Sequence, residues 1–144
     1  MLKTRVMPCL LYYYRGLYKT VKFKYPAYIG DPINAIKIYN EKEVDELIFL
    51  DITASAENRE PNYKVIIDIA SECFMPLCYG GGITTLEQVK KILEIGVEKI
   101  SFNHAAINNP SLVSSAARDF GNQAVVVSID VKKNFWGKYE VVQK

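Results

Sequence analysis

Five short apolar runs, separated by stretches with helical spacing, recur along this 144-residue chain and leave it few folds. The runs are residues 5–11, Leu47-Ile-Phe-Leu-Asp51, Met75-Pro-Leu-Cys-Tyr79 leading into Gly80-Gly81-Gly82, Lys99-Ile-Ser-Phe-Asn103, and 124–130. Near-continuous apolar strands of this length are typical of parallel sheets covered on both faces. The intervening segments carry helix signals. Asp31 before Pro32 predicts a capped first helix. Asn58 and Pro61 precede a second, running to about Cys73. Thr84-Thr85 cap a third, with Leu86, Val89 and Leu93 on one stripe and Gly96 at its end. Asn109-Pro110 opens a fourth, which ends near Gly121. Strands and helices alternate, and right-handed crossovers then make the sheet parallel. No linker divides residues 1–144, so one domain is expected.

Two architectures satisfy this pattern, a doubly wound open sheet and part of a (β/α)8 barrel. Asp51, Gly80–Gly82, Asn103 and Asp130 all fall at the C-terminal ends of successive strands, as barrel enzymes arrange their sites. An open sheet would gather its site at one switch point. A complete barrel needs about 200 or more residues. The expectation is therefore an α/β fold, a partial (β/α)8 TIM barrel of about five parallel strands and four helices, truncated within a hairpin around Asn134–Gly137. Open parallel edges on strands one and five predict self-association.

Composition excludes several functions. A net charge of +2 is too small to point to nucleic acid or an anionic membrane. No apolar run approaches the roughly 18 residues of a membrane span. Met-Leu-Lys-Thr-Arg at the start has no signal-peptide design, so a cytoplasmic location is expected. Cys9, Cys73 and Cys78 lack metal-ligand spacing and read as buried free thiols. No metal and no cofactor is implied.

The two outermost runs end differently. Residues 124–130 finish on the carboxylate of Asp130, whereas residues 5–11 finish on Leu11. A proton-transfer site built from both ends would keep one carboxylate and lack the other.

Taken together, these residues resemble a known family. Arg5 with Pro8-Cys9-Leu10, Lys19, Gly30-Asp31-Pro32, Asp45-Glu46-Leu47, Leu50-Asp51-Ile52-Thr53-Ala54, Gly80-Gly81-Gly82-Ile83, Lys99-Ile100-Ser101, Asn103, Asn109-Pro110-Ser111-Leu112, Phe120-Gly121 and the 123–130 run carry the likeness. They resemble the cyclase subunit of imidazole glycerol phosphate synthase, the ammonia-using barrel of histidine biosynthesis. The likeness covers the N-terminal half of that barrel and the next strand. It implies a barrel of the ribulose-phosphate-binding type and a phosphorylated small-molecule substrate. In the family, aspartates ending strands one and five act as general acid and base. Asp130 matches the second, and Leu11 replaces the first. Leucine holds no titratable proton, so two-carboxylate catalysis cannot run as usual, and losing such a group typically costs about 10²–10⁴ in rate.

The resemblance also assigns Arg5, Glu46 and Lys99 to a charged ring through which ammonia enters from a glutaminase subunit. A structural salt-bridge cluster would use the same residues. Retained inlet residues beside a broken acid–base pair look like divergent paralogues of surface-polysaccharide pathways, thought to deliver ammonia to a nucleotide-sugar. Residues 16–24 and 28–34 resemble that branch more closely. The alternatives are the authentic cyclase subunit, forming imidazole glycerol phosphate and AICAR, and an inactive half-barrel scaffold.

Further candidates follow. Gly81 and Gly82 can bring backbone amides to an anion, although a tight strand-to-helix turn needs glycine as well. Asn103 is a second contact. His104, the only histidine, stands where the family has a small hydroxyl residue, and it either binds an anion or packs structurally. Lys19 matches a lysine on the family's mobile first loop. Tyr12–Tyr14 and Tyr18 flank it, able to stack on a sugar or base or to pack the loop down. Asp51 either orients substrate or caps a turn. Asp45 and Glu98 lie beside the inlet residues and are candidates for the glutaminase docking face.

Overall fold

The structure, a computed structural model, describes residues 3–142. Five parallel strands form the expected sheet: β1 (Cys9–Tyr13), β4 (Leu47–Asp51), β5 (Leu77–Gly80), β6 (Lys99–Phe102) and β7 (Val125–Val127). Between them run α1 (Pro32–Glu41), α2 (Tyr63–Glu72), α3 (Leu86–Ile95) and α5 (Pro110–Phe120). The first helix starts where its cap predicts, with Asp31 Oδ1 accepting the Asn34 N–H at 3.0 Å. The third starts with a full capping box between Thr85 and Gln88 and stops at Gly96, whose φ of 115° suits glycine. The second, which Asn58 and Pro61 precede as expected, is capped by Asn62.

Register sorts the side chains into two layers. Leu10, Phe49, Tyr79 and Ile100 align across the sheet and are buried under the helices with Ile36, Ile66, Ile69 and Ile92. Each fully buried side chain of this size contributes about 1.5–3 kcal/mol. The alternate row, Leu11, Leu50, Gly80, Ser101 and Val126, points to the opposite face. There Leu11, Leu50 and Val126 remain half-buried. Helices thus cover one face only among the described residues, where the apolar runs led us to expect two. Of the thiols, Cys78 is buried, Cys73 half-buried and Cys9 exposed, so the expectation of three buried thiols fails at Cys9.

Four further expectations are corrected. Strand one runs over Cys9–Tyr13, beyond Leu11. Pro8 lacks an N–H, and Val6 pairs only with Asp45 outside the strand. Strand five stops at Val127, because β6 offers no partner beyond Phe102. The edge of strand one is not open. β2 (Gly16–Val21) pairs antiparallel with β1, and β3 (Lys24–Gly30) with β2, giving the order β3-β2-β1-β4-β5-β6-β7. Lys19 accordingly sits on a strand rather than a loop. A short helix, α4 (His104–Asn108), was not foreseen, since five residues carry no readable periodicity. The expected hairpin near the end is present as β8 (Val131–Lys133) and β9 (Tyr139–Val141). Asn134 Oδ1 accepts the Trp136 and Lys138 N–H groups in its turn.

The two sheet edges differ. β3 carries Pro26 and two register shifts against β2, devices that blunt pairing. β7 is a regular Val-Val-Val strand with neither.

Candidate functional site

At the amino ends of the parallel strands, three charges that are distant in sequence converge. Glu46, just before β4, is 2% exposed. Its Oε1 and Oε2 each accept from Lys99 Nζ at 2.7 Å, and Oε2 also accepts from Arg5 Nη2 at 2.7 Å. The Arg5 side chain is 53% exposed and Lys99 25%. A buried carboxylate is therefore held by two cations that reach solvent. Cys78 stands beside it on β5. Burial, reinforced by the Glu46 charge, pushes its thiol up to about 12. Asp45 ties the chain before β1 to this end, since its Oδ2 accepts the Val6 N–H at 2.6 Å.

At the carboxyl ends lies a cleft of about 320 Å³. Leu11, Leu50 and Phe102 supply apolar wall. Asp51, Gly81, Gly82, Asn103, His104 and Asp130 also line it, so the predicted site residues meet there. Lys19 does not line it; it is exposed on β2, opposite Ala27. Asn103 Nδ2 donates to Asp130 Oδ2 at 3.0 Å, orienting a half-buried carboxylate at the mouth. His104 is exposed and opens α4. Leu11 is one register step from Asp51, being paired with Leu50, so no carboxylate from β1 reaches the cleft.

Asp51 is committed elsewhere. Its Oδ1 accepts from Thr53 N, Thr53 Oγ1 and Ala54 N at 2.9–3.1 Å. Arg59 adds contacts from both terminal nitrogens at 3.3–3.4 Å and itself donates to Thr53 Oγ1 at 2.6 Å. With these donors around both its oxygens, Asp51 is held in its own turn. Arg59 continues to Glu57, whose other oxygen accepts from Tyr14 Oη at 2.7 Å. Hydrogen bonds from Tyr14 and then Arg59 hold the Glu57 carboxyl below its usual range, while the same contact raises the Tyr14 phenol. Sequence reasoning missed Arg59, because only folding of the 52–58 turn brings it back onto Asp51.

The glycines answer to packing first. A Cβ on Gly81 would meet the Asp51 carbonyl, and one on Gly82 would lie 2.5 Å from the Arg59 carbonyl. Their φ values of 122° and 72° also favour glycine. The Gly82 N–H already reaches Ser55 Oγ at 3.3 Å. A second cleft adjoins this one, sharing Gly82 and His104 and bounded by Arg59, Thr84 and Asn108. Among the described residues, no group of three or more His, Cys, Asp or Glu is placed to hold a metal, and no helix is long and apolar enough to cross a membrane.

Parallel strands whose carboxyl ends line one cleft, with helices returning between them, define an α/β protein of the TIM-barrel type, present here in part. The chain belongs to the histidine biosynthesis protein family, which matches it over residues 5–144. It is 62% identical over 141 residues to a protein of Pseudomonas aeruginosa provisionally named imidazole glycerol phosphate synthase subunit hisF2, covering 98% of this chain and 56% of that protein. A Vibrio vulnificus protein provisionally named subunit hisF3 is 55% identical over 137 residues, or 95% of this chain and 53% of its own. A Leptospira interrogans protein provisionally named subunit HisF is 55% identical over 142 residues, or 98% and 56%. The chain thus spans about half the length of the curated relatives it matches.

Proposed function

We propose that the protein to which these residues belong takes ammonia from a glutaminase subunit at the amino ends of its strands and uses it on a phosphorylated or nucleotide-linked sugar at the carboxyl ends. One contrast carries the reading. Arg5, Glu46 and Lys99, which match three of the four members of the family's charged ring, are joined to one another, while the opposite cleft holds Asp130 and Asn103 but has Leu11 where an acid–base partner would stand. The imidazole glycerol phosphate synthase names of the relatives support an ammonia-using subunit with a glutaminase partner. In this reading Asp130 is the catalytic carboxylate, and Gly81, Gly82, Asn103 and His104 face the substrate. Asp51 keeps the turn beneath them rigid, and Lys19 reaches the site only if the hairpin moves.

The same names favour a second reading, the authentic histidine-pathway cyclase subunit. Expressing the full-length protein in a histidine auxotroph lacking its own cyclase subunit separates the two. The divergent reading expects no growth from the native sequence and growth after Leu11→Asp. Growth without that change would sink it. A third reading, an inert half-barrel scaffold, draws on the half-buried apolar row of Leu11, Leu50 and Val126. Sedimentation of the 144-residue chain, with and without a glutaminase subunit, tests it. A stoichiometric complex speaks for the inlet, and homodimers alone speak for the scaffold.

A further inference from the structure

Three apolar side chains stand in solvent around the amino-end charge cluster. Val6 and Met7, just before β1, are exposed, and Phe74, just before β5, is 85% exposed. Strand order sets Glu46, at the start of β4, between these two flanks. Both flanks are tied to the chain around Glu46. The Val6 carbonyl accepts the Asp45 N–H at 3.1 Å, and the Pro76 carbonyl accepts the Leu47 N–H at 2.9 Å.

Single exposed apolar residues are ordinary, but Phe74 is held in place. It lies in the α2–β5 loop, and Asn40, near the end of α1, grips the backbone on both sides. Asn40 Oδ1 accepts the Phe74 N–H at 3.1 Å, and Asn40 Nδ2 donates to the Glu72 carbonyl at 2.7 Å. Cys73 Sγ donates to the Met75 carbonyl at 3.3 Å. An aromatic ring fixed in advance is the usual anchor of a protein interface, because docking on it orders little that was free.

The surround is acidic. Glu72 adjoins Phe74 in sequence, and residues 65–89 contain no Lys or Arg. Glu98 is exposed and tied alongside, its N–H donating to the Leu77 carbonyl at 2.9 Å. Burial raises the Cys73 thiol and the Glu98 charge adds to it, which sets that carboxylate near the loop. An inlet for ammonia between two proteins has to be closed to water, or the ammonia escapes as ammonium. Apolar contacts on both flanks of Glu46, with a polar rim outside them, make such a closure.

We propose that Phe74 is the anchor on which the ammonia-supplying glutaminase subunit docks, seated in an apolar pocket of that subunit whose basic rim meets Glu72 and Glu98. The inference rests on the ammonia-supply reading above for the identity of the occupant, and it adds the side chain that holds the occupant there.

Calorimetric titration of the full-length protein with the purified glutaminase subunit from the source genome tests the anchor. Phe74→Ala should weaken the complex at least about thirtyfold. Glu98→Gln should weaken it a few-fold and flatten its dependence on salt. Phe135→Ala is the control. That ring is 96% exposed in the hairpin that follows Asp130, and its loss should change the affinity by less than about twofold. Phe74 is in solvent, so the urea midpoint of Phe74→Ala should match the parent. An affinity for Phe74→Ala within about threefold of the parent, or an equal loss in Phe135→Ala, overturns the proposal. So does sedimentation in which the parent self-associates and Phe74→Ala does not, since the face would then join copies of this chain. The two failures read differently. A parent that binds the glutaminase, with Phe74→Ala unaffected, removes the anchor alone. A parent that does not bind it removes the supply reading and the anchor with it.

Discussion

The two ends of the sheet treat their carboxylates in opposite ways. At the amino ends Glu46 is buried, and both partners come from far along the chain. At the carboxyl ends Asp51 is just as buried but satisfied by its own turn and by Arg59, eight residues on. Long-range pairing makes the first a tie between strands. Local pairing makes the second a brace for one loop. Asp130 belongs to neither class, being half-buried at the mouth of the cleft with Asn103 as its partner.

The contrast can be broken at several points. Lys99→Met should have the largest effect, because it strands a buried carboxylate with only an exposed guanidinium. We expect a loss of about 3 kcal/mol in urea unfolding. A loss below about 1 kcal/mol would mean that Glu46 does not tie the strands. Arg59→Ala should cost less, about 2 kcal/mol, since the backbone N–H groups of Thr53 and Ala54 still hold Asp51. Hydrogen exchange should quicken over residues 52–58 and stay unchanged in β6. Arg5→Met should cost less than about 1 kcal/mol, as its side chain is largely in solvent.

A pH prediction sharpens the amino end. The native Cys78 thiol is raised to about 12, against 9.0 for an unperturbed thiol. The folded state therefore holds that proton more tightly. The resulting stability is complete below the unfolded value and declines as pH rises from about 9 towards 12. Tyr12 and Tyr79 are raised too, each by burial first and the Asp51 charge second, and act in the same direction. The urea midpoint should fall between pH 8 and pH 10, and fall less in Cys78→Ala. At pH 8, iodoacetamide should modify the exposed Cys9 first and reach Cys78 only on unfolding.

Much of this was readable before folding, and the reasons are local. Leu47–Asp51 is a strand bounded by charge, and its limits match the apolar run. Asp31-Pro32 and Thr85 with Gln88 are caps whose chemistry is complete within four residues. Convergence on the cleft followed from strand ends alone, because parallel strands put them on one side. What escaped reading depends on partners distant in sequence. The resemblance placed Lys19 on a loop, and tyrosines and lysines without clean alternation do not announce the antiparallel hairpin of residues 16–30. Four non-glycine residues with positive φ, Tyr14, Lys22, Phe23 and Tyr25, bend residues 14–25 in ways propensity does not favour. Arg59 on Asp51 needed the 52–58 turn to close. The engagement of Gly82 by Ser55 was hidden for the same reason.

The unequal edges of the sheet limit how copies could join. Addition of strands at β3 is opposed by Pro26 and its register shifts, while β7, among the described residues, pairs on one side only, with β6. A sheet extendable on both sides would propagate, copy upon copy, into a fibre. With β3 sealed, the sheet can grow only from the β7 side. The proline and register shifts of β3 would thus act as a chain terminator for assembly, far from any site of chemistry.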